Sequence, residues 1–158
     1  MRLPDLQLRG DLKVLPFMEA HAHIIVLNEK ETYYESISPN YREMVSQNAQ
    51  SGQSWTFVNG NVLLCCFGVR SFNAGFGEVW MLAGKYLPHH AVSLVRSSRI
   101  LYDDMIENKG FYRLQIVVDC NNDSAYQFAK AIGFQVEGIM RKLGPDKANH
   151  FLMSRIET

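Results

Sequence analysis

No stretch of this chain approaches the roughly 18 apolar residues that a membrane-spanning helix needs, so no membrane partner is expected. The opening residues, MRLPDLQLRGDLKV, contain no apolar segment of the kind that marks a secretion signal. Net charge is also missing: sixteen basic residues cancel sixteen acidic ones. That balance removes the electrostatic basis for a nucleic-acid partner, while leaving room for a local anion site. Cysteine is scarce, at three residues. Cys65 and Cys66 are neighbours within one expected strand, where they point to opposite faces and cannot readily bridge; Cys120 stands apart. No CxxC pair finds a matching partner pair, so no metal site is expected and a reduced, cytoplasmic setting fits. Repeats, low-complexity tracts and linkers are absent as well.

What remains is a chain of 158 residues, 47% apolar and 20% charged. That is enough for one domain, residues 1–158, around one core. Pro16 suits a first helical turn, and Phe17, Ala20, Ile24 and Leu27 recur at helical spacing. They predict a helix from about Pro16 to Leu27. Ser38, Pro39 and Gly52 frame a second helix. Two apolar, β-prone runs around Asn59-Gly60-Asn61 predict a hairpin with a type I′ turn. EVWMLAG, Glu78 to Gly84, reads as the next strand, with Trp80 and Met81 alternating as core residues. In the second half, HAVSLVRSSRILYDDMIENKG is a long amphipathic helix stopped by Gly110. Phe111 to Asp119 is a buried strand. Asn121 or Asn122 caps a further helix that ends at Gly133. FQVEGIMRKL and Asn149 to Ile156 close the chain as strands around the turn Gly144 to Lys147. The order α α β β β α β α β β means an α/β (α+β) sheet with helices on both faces.

Asn122, Ala125, Gly133 and Phe134 resemble the N-x-x-[AS]…G-F signature of the GCN5-related N-acetyltransferases, the GNAT superfamily. The likeness in strand order runs from about Gln53 to Ile156, and its sequence-specific part from Asn122 to Gly138. The strand EVWMLAGK, the long helix after it and the AIGF end also look like the acetyltransferase-like proteins of short-tailed bacteriophages, including the internal virion protein A type. The resemblance implies a mixed, mainly antiparallel central sheet whose fourth and fifth strands splay apart. In the family that gap takes the pantetheine arm of acetyl-CoA like an added strand, and the pyrophosphate rests on the next helix N-terminus. It implies an acetyl-CoA-dependent N-acetyltransferase with a small-molecule or protein amine as acceptor. The alternative is a catalytically degenerate phage protein, in the host cytoplasm or the virion, acting in assembly or on a host protein. A homodimer through the C-terminal strands is a further expectation, since NHFLMSRI would leave an exposed edge.

Leu82 and Ala83 are the residues expected along the cofactor arm, with a bulge at Ala83-Gly84. The family's phosphate loop, Q/R-x-x-G-x-G/A, corresponds to Lys85 through Ala91. Pro88 or His89 stands where the first glycine belongs, and Pro88 removes an N–H donor. Lys85, His90, Ala91 and Arg96 are the candidate phosphate contacts, His89 a further one, and Asn122 faces the cofactor arm. The same stretch reads equally as a proline-started helix that merely connects. The family's acid, a tyrosine seven residues after the signature asparagine, is Ala129 here; Tyr126 is the nearest substitute, or else a packing residue. Glu78 is the candidate base, with Glu137, His21 and His23 behind it.

Overall fold

The computed structural model describes all 158 residues. Strand β1, Leu12–Pro16, leads into α1, Glu19–Ile24, α2, Glu29–Ile37, and α3, Tyr41–Ala49. Strands β2, Gly52–Asn59, β3, Val62–Asn73, and β4, Phe76–Ala83, follow. A 3-10 turn, Leu87–His90, opens α4, Ala91–Asn108. Then come β5, Arg113–Asp119, α5, Asp123–Ala131, β6, Gln135–Met140, and β7, His150–Ile156. No helix is long and apolar enough to cross a membrane.

The expected helix from Pro16 is corrected: Pro16 ends a strand paired to β2, and the helix starts at Glu19. Proline's fixed φ and missing N–H suit a sheet edge as well as a first helical turn, and β1 is the edge. With β1 counted, EVWMLAG becomes the fourth strand, as the family resemblance requires. A further helix, α2, fills the residues between the two expected ones, which the apolar spacing does not mark. Ser38 ends α2 rather than starting α3, and Gly52 opens β2 rather than closing a helix. In the β2–β3 hairpin the left-handed φ falls on Gly60 alone, so the turn is not type I′.

The seven strands lie in the order β1-β2-β3-β4-β5-β7-β6. Every pairing is antiparallel except β4 with β5. The expected exposed edge at the last strand is therefore corrected: β7 lies between β5 and β6, and β6 is the edge. Helices α4 and α5 cover one face over the larger core, which includes Phe57, Leu64, Cys65, Val69, Leu101, Tyr102 and Leu114. The α1–α3 layer covers the other face over a smaller cluster of Ala22, Ile25, Leu27, Val45, Cys66 and Leu82. Each large side chain fully removed from water contributes about 2–3 kcal/mol.

Arg42 binds the α1–α3 layer together. Its Nη1 donates to the carbonyls of Ala22, His23 and Ile25, each at 3.0 Å, and so satisfies the open C-terminus of α1. Its Nε pairs with Glu35 on α2 at 2.5 Å. Arg42→Ala is expected to cost about 2–4 kcal/mol, and Arg42→Lys to recover only part, since one ammonium cannot reproduce the fork. Urea denaturation midpoints with unchanged slopes check this.

Candidate active site between the splayed strands

The site begins where β4 and β5 stop pairing. Only three rungs join them: Phe76 with Arg113, Gly77 with Leu114 and Glu78 with Gln115. Beyond Glu78, β4 stays on β3 as far as Ala83, and β5 stays on β7 as far as Asp119. The two strands therefore part. Backbone groups alternate sides along a strand. The Gly84 N–H donates toward β3, to the Leu64 carbonyl at 2.8 Å. The Ala83 carbonyl and the Lys85 N–H turn the other way, so Met81 also turns its N–H and C=O into the gap. Past Glu78 the sheet offers them no partner.

Leu82 does not contribute its backbone to the gap, because the same alternation commits it to β3; its side chain is buried in the smaller cluster. No bulge occurs at Ala83-Gly84, where the register with β3 is regular. Glycine is required at 84 for another reason: a Cβ there would stand 2.6 Å from the Leu64 carbonyl oxygen. The segment before α2 closes this end of the gap. Asn28 N–H donates to the Ala83 carbonyl at 3.2 Å, and Lys85 N–H donates to Val26 at 2.8 Å.

That contact reshapes the start of α2. The Asn28 side chain caps the helix by accepting from the Glu31 N–H at 2.8 Å. In a capping box the Glu31 carboxylate would turn back to the Asn28 N–H. Here β4 has taken that N–H, and the carboxylate points inward to accept the Tyr41 hydroxyl at 2.7 Å. Burial of Glu31, 7% exposed, pushes its pKa up to about 7 against the partial relief of that hydrogen bond. One turn on, Tyr34 donates its hydroxyl to Asp119 at the end of β5, at 2.9 Å. Burial first, and then the hydrogen bond to Asp119, raise the pKa of Tyr34. Asn122 donates to the same hydroxyl at 3.3 Å while its Oδ1 accepts from Ala125 N–H at 3.2 Å, so it caps α5 as expected. Exposed Tyr33 reaches Asp146 in the β6–β7 turn at 2.8 Å. Helix α2 thus spans the mouth of the gap.

The expected phosphate contacts are scattered. Lys85 is exposed, its ammonium 5.8 Å from the Tyr86 ring centre. The His90 ring lies 3.4 Å from the Asn59 amide at the β2–β3 turn, and His89 is exposed. Ala91 is the first residue of α4, whose N-terminus no side chain caps. The N–H groups of Lys85, Leu87 and Ala91 already have carbonyl partners, and Pro88 has none to give. Arg96 differs: its Nε is buried with no acceptor. The Tyr126 ring packs 5.0 Å from the Phe151 ring on β7, with the Lys130 ammonium over it. Ala129 is fully buried. Glu78 pairs with Arg70 at 2.9 Å on the last joined rung, and Glu137 with Arg113 at 2.8 Å. His21 Nδ1 lies 2.7 Å from the Thr56 hydroxyl and 3.1 Å from the Met18 N–H, and burial lowers its pKa. His23 is exposed beside Glu19.

No family model and no curated protein matches the sequence. Solved structures do match in shape. A GNAT-family acetyltransferase from Bacillus anthracis superposes with a TM-score of 0.69 at 13% identity, over 93% of this chain and 95% of its own. The chain has the GNAT fold. A GNAT-family acetyltransferase from Elizabethkingia anophelis with acetyl-CoA bound gives 0.67 at 11% identity, covering 94% and 99%. RimL, a ribosomal alpha-N-protein acetyltransferase in complex with coenzyme A, gives 0.71 at 12% identity, covering 96% and 97%.

Sequence reasoning missed Met81, Glu31, Tyr34, Tyr41 and Asp119. The signal for Glu31 was present as Asn28-Glu29-Lys30-Glu31, an N-cap followed at the third position by glutamate. A folded-state pKa raised above its unfolded value favours the fold at low pH and loses that advantage as pH rises through about 7. Each tenfold change in proton affinity is worth about 1.4 kcal/mol, so ionised Glu31 burdens the fold by about 3 kcal/mol. Glu31→Gln is therefore expected to stabilise the protein by about that much at pH 8–9 and to change little at pH 5. Thermal unfolding across that range measures it.

Proposed function

We propose that this protein is an N-acyltransferase that passes an acetyl group from acetyl-CoA to an amine by direct attack. The observation that carries the reading is the gap with its unpaired Met81 backbone. An amide-bearing arm entering it meets one donor and one acceptor at strand spacing. Met81 would hold that arm, and Arg96, whose buried Nε lacks an acceptor, would take an anionic group. A cleft of about 430 Å³ beside Lys85, lined also by Leu27, Asn28, Glu29 and Thr32, adjoins the end of β4. Bound acetyl-CoA supplies the activated thioester. The chain supplies orientation along β4, exclusion of water beneath α2 and proton handling. The residues of the phosphate loop fit less well than those of the gap. Pro88 and the occupied N–H groups leave most of the anion binding to Arg96 and the first turn of α4.

Those same features favour the second reading, a non-catalytic GNAT-fold protein that acts through a protein partner, as in phage assembly or on a host factor. Calorimetry separates the two. Coenzyme A is expected to bind the parent. Arg96→Leu should weaken it about tenfold or more while leaving phosphate-free pantetheine unchanged. An absence of binding at millimolar coenzyme A selects the second reading.

A further inference from the structure

Glu31 and Asp119 are the buried carboxylates of this protein, at 7% and 8% exposure. Neither takes part in an ion pair, whereas Glu35, Glu78, Glu137 and Asp103 each hold an arginine. Burying a carboxylate without a cation is costly unless something else compensates. Both lie at the mouth of the gap. Asn28, at the N-cap of α2, donates its N–H to the Ala83 carbonyl at the end of β4, and Tyr34, one turn past Glu31, reaches Asp119 at the end of β5. The stretch of α2 that carries Glu31 therefore bridges the ends of the parted strands. Tyr34 and Tyr41 close the space between the acids, their ring centres 6.2 Å apart. The cluster is acidic, aromatic and without a counter-ion, the pattern that suits an organic ammonium.

Building on the acetyltransferase reading, we infer that Glu31, oriented by Tyr41, takes the proton of the acceptor amine, and that the Glu31–Tyr34–Tyr41–Asp119 cluster selects a protonated alkylamine. The step balances. The ionised Glu31 carboxylate accepts one proton from R–NH3⁺, leaving neutral R–NH2. The amine lone pair forms the new C–N bond at the expense of the thioester C–S bond, and the amine's second proton leaves with the sulfur as thiol. Glu31 then returns its proton to water. Tyr34, half-buried between the cluster and solvent, lies on the approach. Glu31 faces Tyr41 from α3 and Tyr34 from its own helix; Asp119 from β5 stands on the other side of Tyr34, and Glu35, paired with Arg42, lies near Tyr41. An acid poised near neutrality is matched to this task.

The test pairs kinetics with a direct reading of Glu31. Parent and Glu31→Gln, which keeps an acceptor for Tyr41, are compared from pH 5.5 to 9 on a primary alkylamine and on an aromatic amine that is already neutral. The expected result is a loss of about 100-fold or more in kcat/KM for the alkylamine, with the acidic limb of the profile abolished. The aromatic amine should lose less than tenfold. Separately, ¹³C NMR of glutamate-labelled protein without any coenzyme A follows the ionisation of Glu31, and added propylammonium should lower its midpoint. Equal losses for both amines, or an unchanged profile, overturn the role of Glu31. A midpoint insensitive to propylammonium overturns the cluster as an ammonium site. That result is independent of coenzyme A, whose failure to bind would instead overturn the acetyltransferase reading.

Discussion

Everything at the site follows from three rungs of parallel pairing. β4 and β5 are each held along their whole length on their outer sides, by β3 and β7, but to one another only at Phe76–Glu78 and Arg113–Gln115. A twisted sheet whose two halves are anchored separately can stay joined at one end and open at the other. The opening leaves backbone donors and acceptors without a strand to meet them. Buried main-chain groups of that kind call for a partner, and here two arrive from the chain's own N-terminal third, at Val26 and Asn28. The remainder at Met81 is what a ligand can use.

The same third places the buried carboxylate. Taking the Asn28 N–H onto β4 frees the Glu31 carboxylate from helix capping, and Tyr41 then draws it inward. A backbone hydrogen bond thus determines where a charge resides. Arg42 fixes the frame in which this happens, since it ties α1 to α2 through one guanidinium. The position where the resemblance places a tyrosine is a fully buried alanine, Ala129, and the tyrosines near the gap belong to α2 and α3.

The second half of the chain was legible because its elements obey simple periods. The long α4 has a continuous apolar stripe, Leu94, Leu101 and Met105 among it, and β5 is a run of branched residues. Asn122 and Gly133 punctuate α5 where capping chemistry requires. The first half was not. Strand β1 is a five-residue edge strand with one buried side chain, so it carries little alternation. Helix α2 hides its inward face because that face is Glu31 and Tyr34 rather than leucine, which defeats a search for apolar spacing. Met81 was passed over for a related reason: what it turns into the gap is main chain, and side-chain identity says nothing about which backbone groups a splayed sheet leaves open.

Cys65 and Cys66 carry a consequence of their own. One thiol lies in the larger core beneath α4 and α5, the other in the smaller cluster beneath α1 and α3. Both are fully removed from solvent. A single peptide step of β3 therefore crosses the whole sheet, and the pair marks the phase of the strand. A shift by one residue would exchange every side chain between the two layers, bringing Leu64 and Phe67 under the small α1–α3 roof and Thr56's partner Cys66 into the large core. The dipeptide acts as a registration mark: its two chemically identical side chains tolerate the exchange, while their bulky neighbours on either side forbid it.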